Sequence, residues 1–432
     1  MFLSLILSYP FSVFAFDYDF RIIASERIES LNNFWDELRQ PNSEDDIYSL
    51  LLIYPSVDIK ITQELKAYCE LKTALYWDRE TDEHTFEERT ELFEGFIEWK
   101  APFTPGATLQ AGKIEFVSAD GYILDKNSPG ISIQYDLDLS FNWLATLKYF
   151  WSKIEEESYV SHLQYDHCID FFERIGLFWV YFNDGDNGAG EILDRQFPLA
   201  LHFESYGNWQ YAGLELEKFL GRLFLEVSYI YQFGSIDLDI WRWERISMGR
   251  WVWREKKGLE LDISAHLFDI NLSIPLGENM SAKLFYLFAT GDDPTFVGAN
   301  NSVNFGVFFS IAPFIKKTSI FFNGGIDDIF TSDTMSLAGT GVAGLSVPGV
   351  TLRYQGGDRF ELANTWALLM SQKDLQDRGR QYGWETDFIY NWYFTESFSF
   401  FIEADYLHLG GFFKDPKNDN IWKGVIGVDF FY

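Results

Sequence analysis

The sequence predicts an all-β protein, a transmembrane antiparallel up-and-down β-barrel of about 18 strands, with 16 also possible. Three observations predict this fold: an excess of aromatic residues, hydrophobicity that repeats every second residue, and connections of alternating length. Aromatic residues make up 19% of the 432 positions, whereas charged residues still make up 23%. A barrel wall needs both kinds of residue, because alternate side chains face lipid and lumen and aromatic girdles mark the two membrane interfaces.

The period-two pattern recurs through most of the chain and predicts which residues face the lumen. Residues 131–151 alternate for long enough to form two strands with a tight turn near Asp138. A carboxylate facing lipid at mid-strand costs a few kcal/mol, so the acidic residues between apolar ones are predicted to line the pore. These predicted pore-lining residues are Glu215, Glu226, Glu260, Asp262, Glu385, Asp387, Glu403 and Asp405.

The predicted connections are short at one membrane face and long at the other, as in outer-membrane barrels. The short ones are residues 217–221, 275–279, 313–317 and 395–397. The long ones are residues 152–167, 236–257, 290–300, 326 to about 347, and 409–419.

Two readings remain open near the start of the chain. The spacing of Ile28, Leu31, Trp35 and Leu38 is typical of a helix over residues 25–38, but a first strand from residue 17 to about 29 is favoured. Residues 1–15 are predicted to be a signal peptide, since they are uncharged and end on small residues at the positions that a signal peptidase accepts. A buried first strand is the alternative, and residues 16–432 are predicted to form one barrel domain.

The last strand predicts an assembly signal for an outer-membrane barrel. Tyr432, Phe430 and Val428 alternate with Asp429 and Gly427. A terminal aromatic on such a strand is similar to the signal that the barrel-assembly machinery recognises. An ordinary edge strand that ends on an aromatic by chance is the alternative.

The charge balance excludes several classes of protein and partner. A net charge of −31 argues against nucleic acid as a partner and favours cations or neutral solutes. The uncharged windows 294–315 and 334–352 are interrupted by asparagines or by glycines and Pro348, so a polytopic helical protein is excluded. Cys69 and Cys168 either pair in an oxidising periplasm or remain free, and the sequence leaves both options open.

Several segments resemble the bacterial outer-membrane alginate-export family and its porin-like relatives. They are LQAGKIEFVSADGY (residues 109–122), LFYLFATGDDP (residues 284–294) and the closing hairpin of residues 385–415. Lys113 stands where the family usually has Arg, and Gly121 is retained. The resemblance implies an 18-stranded monomeric barrel with a constricted lumen. An alginate exporter is expected to line its pore with Arg and Lys, whereas the lining predicted here is acidic, so the fold carries over better than the substrate.

Two clusters suggest binding chemistry, each with a plainer alternative. A basic and aromatic cluster suits a sugar carboxylate or a lipopolysaccharide phosphate at the pore mouth, but an interfacial tryptophan girdle with snorkelling basic residues is favoured. Its members are Arg242, Arg245, Arg250, Arg254, Trp251 and Trp253. Weak calcium candidates are Asp184, Asp186, Asp292 and Asp293, for which solvated turns are the favoured explanation.

The function predicted from the sequence is an outer-membrane channel, a porin or exporter that passes small solutes or a saccharide and prefers cations. A plugged docking barrel for a partner protein is the alternative, and a barrel enzyme is less favoured still. His162, His167 and Cys168, placed in a predicted outer loop, lack a recognised metal-ligand spacing. We therefore predict no catalytic residue, cofactor or defined metal site. The expected surroundings are outer-membrane lipid, lipopolysaccharide and the barrel-assembly machinery, and a periplasmic protein is a further candidate partner.

Overall fold

A computed structural model shows a closed antiparallel barrel of 18 wall strands. It describes residues 17–34, 44–78, 86–102, 104–139, 143–169, 171–196, 201–247, 250–292, 302–311, 315, 317–323, 342–374, 379–412 and 420–432. Each wall strand pairs with the next along the chain, and β1 pairs with β19 to close the barrel. No helix in this described part of the chain is long and apolar enough to cross a membrane.

The wall strands carry the alternating sequence that was used to predict them. The first nine are β1 (Asp17–Phe34), β2 (Glu44–Lys60), β3 (Leu65–Asp78), β4 (Phe86–Lys100), β5 (Ala107–Ser118), β6 (Leu124–Leu139), β7 (Trp143–Lys153), β8 (Tyr159–Ile169) and β9 (Phe172–Asp184). The other nine are β10 (Leu201–Leu220), β11 (Leu223–Ser247), β12 (Arg250–Pro275), β13 (Met280–Ala289), β15 (Leu345–Gly356), β16 (Phe360–Met370), β17 (Gln381–Thr395), β18 (Phe398–Leu409) and β19 (Asn420–Phe431). One helix, α1 (Gly188–Gln196), joins β9 to β10.

The start of the described chain is a strand, as favoured, and the helical alternative for residues 25–38 is wrong for the part that the structure describes. β1 pairs with β2 from Asp17 to Phe34 and with β19 from Ile23 to Asn32. Ladder hydrogen bonds on both sides outweigh the helical spacing of a few apolar residues, because a closed barrel leaves no strand edge unpaired. Residues 1–15, the predicted signal peptide, lie outside the described residues.

The connections follow the predicted alternation, with three corrections. Residues 152–167 are not a long loop, because β7 ends at Lys153 and β8 begins at Tyr159. Residues 236–257 are mostly strand, since β11 and β12 continue as a paired hairpin to Ser247 and Arg250. The predicted short turn at residues 313–317 does not connect consecutive wall strands, because β13 pairs directly with β15. The described residues between Ala289 and Leu345 form no full-length wall strand.

Part of that stretch fills the lumen, and we call its described residues 302–323 the interior segment. Its strand β14 (Val303–Phe305) pairs in parallel with Leu261–Ile263 of β12, on the edge of that strand that β13 pairs with only from Leu267 onward. Phe305, Phe308 and Phe309 are fully buried and pack against inward-facing residues of β10 to β13. Each such side chain contributes about 1.5–3 kcal/mol when removed from water, so the interior segment has an apolar core of its own with the wall.

Candidate functional site

The candidate site is the lumen, which holds charged side chains from most of the barrel. Near the short-turn ends of β8, β9 and β10, Arg174 forms ion pairs with three carboxylates of the neighbouring strands. Its Nε lies 2.8 Å from an oxygen of Asp166, one terminal nitrogen lies 2.9 Å from Glu217, and the other contacts Glu215. A guanidinium is suited to this arrangement, because its five N–H donors form a fixed planar fork.

Further ions surround these ion pairs and remain partly open to water. Lys148 of β7 lies 3.6 Å from Asp166, and Lys283 of β13 lies 3.3 Å from Glu226. The side chains of Lys148, Lys283 and Glu226 are 46%, 40% and 36% exposed although they point into the barrel. Water therefore reaches this part of the lumen, and a hydrated solute would meet charges of both signs there.

A short inward turn between β5 and β6 narrows the lumen next to these ions. Residues 119–123 form a single turn in which Ala119, Tyr122 and Ile123 are buried. Asp120 in this turn is exposed at its surface, yet partial loss of hydration beside the wall raises its pKa, and the nearby Arg174 partly opposes that shift. The turn also meets the interior segment, since the Ile311 amide donates to the Ile123 carbonyl at 2.9 Å.

The interior segment is fixed to β12 by a buried ion pair. The Lys317 Nζ lies 2.8 Å from an Asp269 oxygen and donates to the Asn271 side chain at 2.7 Å. Burial lowers the pKa of Lys317, and the Asp269 carboxylate acts in the opposite direction. Removing one partner of such a pair would leave an uncompensated buried charge, which is strongly destabilising.

A second attachment holds the interior segment against β17, β18 and β19. The amides of Ile320 and Phe321 donate to the two oxygens of Glu385, and the amide of Ser319 donates to Asp387 at 3.2 Å. Ser319 Oγ then donates to Glu403 at 2.9 Å. Carboxylates accept backbone amides strongly, so this cluster stabilises a single helical turn, Ile320–Asn323, inside the lumen.

A single lysine supplies positive charge to this carboxylate cluster. Lys423 of β19 lies 2.6 Å from Glu403 and 3.6 Å from Asp405. Glu385, Asp387 and Asp405 are all at least nine-tenths buried. Glu385 and Asp387 thus hold the interior segment through its amides, and Asp405 pairs with Lys423, so these three predicted lining residues lie in a buried cluster and not along an open path.

The predicted orientation of Glu260 and Asp262 is wrong. Both are exposed on the outer face of β12, whereas their neighbours Leu259, Leu261 and Ile263 are buried inside the barrel. The reason is the interior segment, which offers an apolar surface inside the lumen and so turns the apolar face of β12 inward. Among the predicted lining residues that face inward, Glu226 is partly exposed to water, whereas Glu215 is buried against Arg174.

The calcium candidates have other roles where the structure describes them. Asp184 accepts the amides of Gly188 and Ala189 and so caps the first turn of α1. Asp186 accepts the amide of Glu157, and Asp292 accepts the amide of Gly306. No group of three metal-ligating side chains occurs within the described residues, and Asp293 lies outside them.

The basic and aromatic mouth cluster can be placed only by its backbone. The hairpin of β11 and β12 brings Arg242 opposite Arg254 and Arg245 opposite Trp251, while Arg250 pairs with Ser247. Trp253 lies opposite Trp243 in the same ladder. The side chains of these cluster residues lie outside the described part of the structure, so the choice between a binding site and a girdle stays a prediction.

The two cysteines are unpaired, and the histidines predicted for an outer loop lie on a wall strand. Cys69 and Cys168 are both free, on β3 and β8 respectively, so the option of a disulfide is wrong. His162, His167 and Cys168 belong to β8 and not to an outer loop. His162 is buried between Phe150 and Phe178, which is the environment of a packed ring.

Sequence reasoning missed most of the basic residues of the lumen. Arg174, Lys317 and Lys423 each pair with a lumen carboxylate, yet none was singled out. Parity alone could have placed Arg174, because it alternates with outward Ile175 and Leu177 along β9. Lys317 had no such signal, since it lies in the interior segment and not in a wall strand.

The fold and the site together define a class: a closed 18-stranded outer-membrane-type barrel with a constricted, charged lumen. No protein-family model matches the chain, and no curated protein matches it in sequence.

Solved structures of Pseudomonas aeruginosa porins share the fold. OccK9 (OpdG) superposes with a TM-score of 0.54 at 11% identity, covering 96% of this chain and 98% of that one. OpdK, solved with vanillate, gives 0.53 at 9% identity, again covering 96% and 98%. OccK5 (OpdH) gives 0.52 at 10% identity with the same coverage. The chain is thus porin-like in fold over nearly its whole length.

Proposed function

We propose that this protein is a passive channel of the bacterial outer membrane, which admits small hydrophilic solutes without bond chemistry. The observation that carries the proposal is the contrast between the two faces of the wall. Outward residues are large, apolar and exposed on many strands, among them Ile97, Leu177, Leu284, Trp366, Phe388 and Ile426. Such a surface is stable only in lipid, whereas the partly exposed ions inside need water.

Acidic residues outnumber basic ones in the lumen, which supports a preference for cations. Around Arg174, six acidic residues face four basic ones: Asp120, Asp166, Glu215, Glu217, Glu226 and Asp269 against Lys148, Arg174, Lys283 and Lys317. A net negative field inside a low-dielectric wall raises the local concentration of cations.

Single-channel recording tests this function. Purified, refolded protein is inserted into a planar bilayer, and conductance and reversal potential are measured under a potassium chloride gradient. Steady cation-selective steps support the channel. Absence of conductance from protein that is folded by circular dichroism and by heat-dependent electrophoretic mobility contradicts it.

A plugged docking barrel is the second candidate, and the interior segment is the observation that favours it. This segment pairs with β12 at Val303–Phe305, is attached near its other end through Lys317 and Ile320, and buries several phenylalanines in the lumen. Folded protein that never conducts, but does so after Glu385→Gln and Lys317→Met loosen the segment, would support this candidate.

A uronate polymer, the solute suggested by the resemblance to alginate exporters, is a further alternative. It requires a basic path, and the excess of lumen carboxylates opposes it. Anion selectivity in the same recordings would favour it over the cation-preferring channel.

The membrane surroundings form part of the same proposal. The end with short turns would face the periplasm and the end with long connections the cell exterior, where lipopolysaccharide surrounds the barrel.

Val428, Phe430 and Tyr432 all face outward on β19 and its end, which supports recognition of this strand by the barrel-assembly machinery. Loss of outer-membrane insertion in Phe430→Ser, tested against Asp429→Ser on the inward face, would check this role.

A further inference from the structure

One part of the lumen wall, formed by β2, β3 and β4, carries a row of aromatic side chains in addition to charged ones. Its inward face has two pairs of rings, Tyr54 with Phe93 and Tyr68 with Phe96, whose centroids lie 5.7 Å and 5.3 Å apart. All four side chains are half-buried, so part of each ring is accessible from the lumen. We call these four residues the aromatic track.

Each ring pair of the aromatic track has a lysine beside it. Lys72 Nζ lies 5.6 Å from the Tyr54 ring centroid and 5.5 Å from that of Phe93. Lys66 Nζ lies 6.0 Å from Phe96 and 3.5 Å from a Glu98 oxygen. The two lysines are six residues apart on β3, so the track runs for about 20 Å along the strand.

Hydrogen-bond acceptors lie at the same levels as the rings. Glu98 accepts the Gln110 amide at 2.9 Å, and the Tyr68 hydroxyl donates to Glu70. A solute moving along the track would therefore find apolar ring faces, cationic donors and anionic acceptors at every level.

We propose that the aromatic track binds uncharged oligosaccharides as they cross the lumen, an inference that rests on the proposed channel function. The C–H faces of a sugar ring carry partial positive charge and pack on the electron-rich faces of aromatic rings. The sugar hydroxyls both donate and accept, so they can use Lys66, Glu98 and Gln110 together.

The charge pattern of the track selects against ions. An organic anion would meet Glu70 and Glu98, and an organic cation would meet Lys66 and Lys72, each next to the rings on which it would stack. A neutral polyhydroxylated solute meets no like charge at any level. The length of the track exceeds that of one sugar ring, which favours an oligomer over a monosaccharide.

Current block by maltohexaose tests the proposal. This neutral sugar is added to single channels of the wild type, and the apparent dissociation constant is read from the block of potassium current. We expect Tyr68→Ala and Phe96→Ala to weaken the block roughly 3- to 10-fold each, since each removes one stacking partner. Tyr68→Phe, which keeps the ring, should stay within about twofold of the wild type.

Tyr393→Ala provides a matched control, because Tyr393 is an exposed aromatic at the periplasmic end of β17, away from the track. It should leave the block unchanged. Choline and a galacturonate trimer serve as charged comparators, and block by either one in place of maltohexaose would overturn the proposal.

Failure of this proposal can be told apart from failure of the channel function. Steady potassium conductance without any maltohexaose block contradicts the track but leaves the channel. If folded protein does not conduct, isothermal titration of maltohexaose into the detergent-solubilised protein tests the track directly. Heat released by the wild type and lost in Tyr68→Ala supports the site, whereas no heat from the wild type refutes it.

Discussion

Strands β12 and β17 have the same alternating sequence pattern but opposite orientations in the wall. In β17, Glu385 and Asp387 point inward and Trp384 and Phe388 point outward. In the upper part of β12, the leucines point inward and the carboxylates outward. The difference lies in what each apolar face meets: lipid outside β17, and the phenylalanines of the interior segment inside β12.

The comparison shows that alternation identifies a strand with an apolar face but not the partner of that face. Lipid and a protein core both bury hydrocarbon, and the hydrophobic effect does not depend on direction. Which face points inward is decided by whether the lumen at that height contains water or packed side chains.

The largest expected effect comes from placing a charge on the inward face of β12. Leu261 is fully buried, so Leu261→Asp should lower the free energy of unfolding by about 4 kcal/mol or more, or prevent folding. Urea unfolding of protein refolded into vesicles measures this. Glu260→Leu, on the outward face of the same strand, should change stability by less than about 1 kcal/mol. Equal losses from both variants would show that the orientation of β12 is not as described.

The next effect concerns the carboxylate that accepts two amides of the interior segment. Glu385→Gln should weaken the attachment by about 2–3 kcal/mol, because an amide replaces a charged acceptor and brings a donor toward the N–H groups. Limited proteolysis should then cut within residues 302–323, and the mean conductance should rise. Glu361→Gln, near the short-turn end of β16, should leave both readouts at the wild-type level. An unaltered digestion pattern in Glu385→Gln would argue against the attachment.

A smaller effect is expected on ion selectivity, which should respond to charge reversal of an inward carboxylate but not of an outward one. Glu226→Lys should lower the cation-to-anion permeability ratio roughly twofold to fivefold, because the residue is inward and partly hydrated. Glu260→Lys makes the same charge change on the outer face and should leave the reversal potential as it is. A shift in both variants would mean that charge outside the wall also controls permeation.

The smallest effect is a pH dependence at the inward turn. The raised pKa of Asp120 means that the docked turn favours the protonated acid, so its stability is fully present at low pH and falls as pH rises through the folded-state pKa. Conductance should therefore be modestly lower near pH 4 than near pH 7. The charged groups around Asp120 are Arg174, Glu217, Glu226 and Asp269. Asp120→Asn should reduce the difference, whereas a difference that persists in full belongs to the other acids.

Much of the wall could be predicted from the sequence because period two is a local signal. The strand number and the hairpin of β17 and β18 are confirmed, and Glu403 and Asp405 lie together beside Lys423. The path of residues 290–344 could not be predicted, since its attachments depend on residues such as Asp269 and Glu385 that are distant in sequence. The orientation of β12 follows from that path, so one missed segment also reversed the interpretation of Glu260 and Asp262.

Strands β11 and β12 are longer than the other strands of the wall, so they extend beyond the membrane on one side of the barrel. β11 has 25 residues and β12 has 26, so each runs for about 80 Å along its own direction, against a hydrocarbon layer about 30 Å thick. Even with a strand tilt of about 45°, a paired ribbon stands clear of the membrane on one side of the pore. With the long connections on the outside, as proposed above, an approaching phage, antibody or colicin would meet this ribbon above the lipid surface.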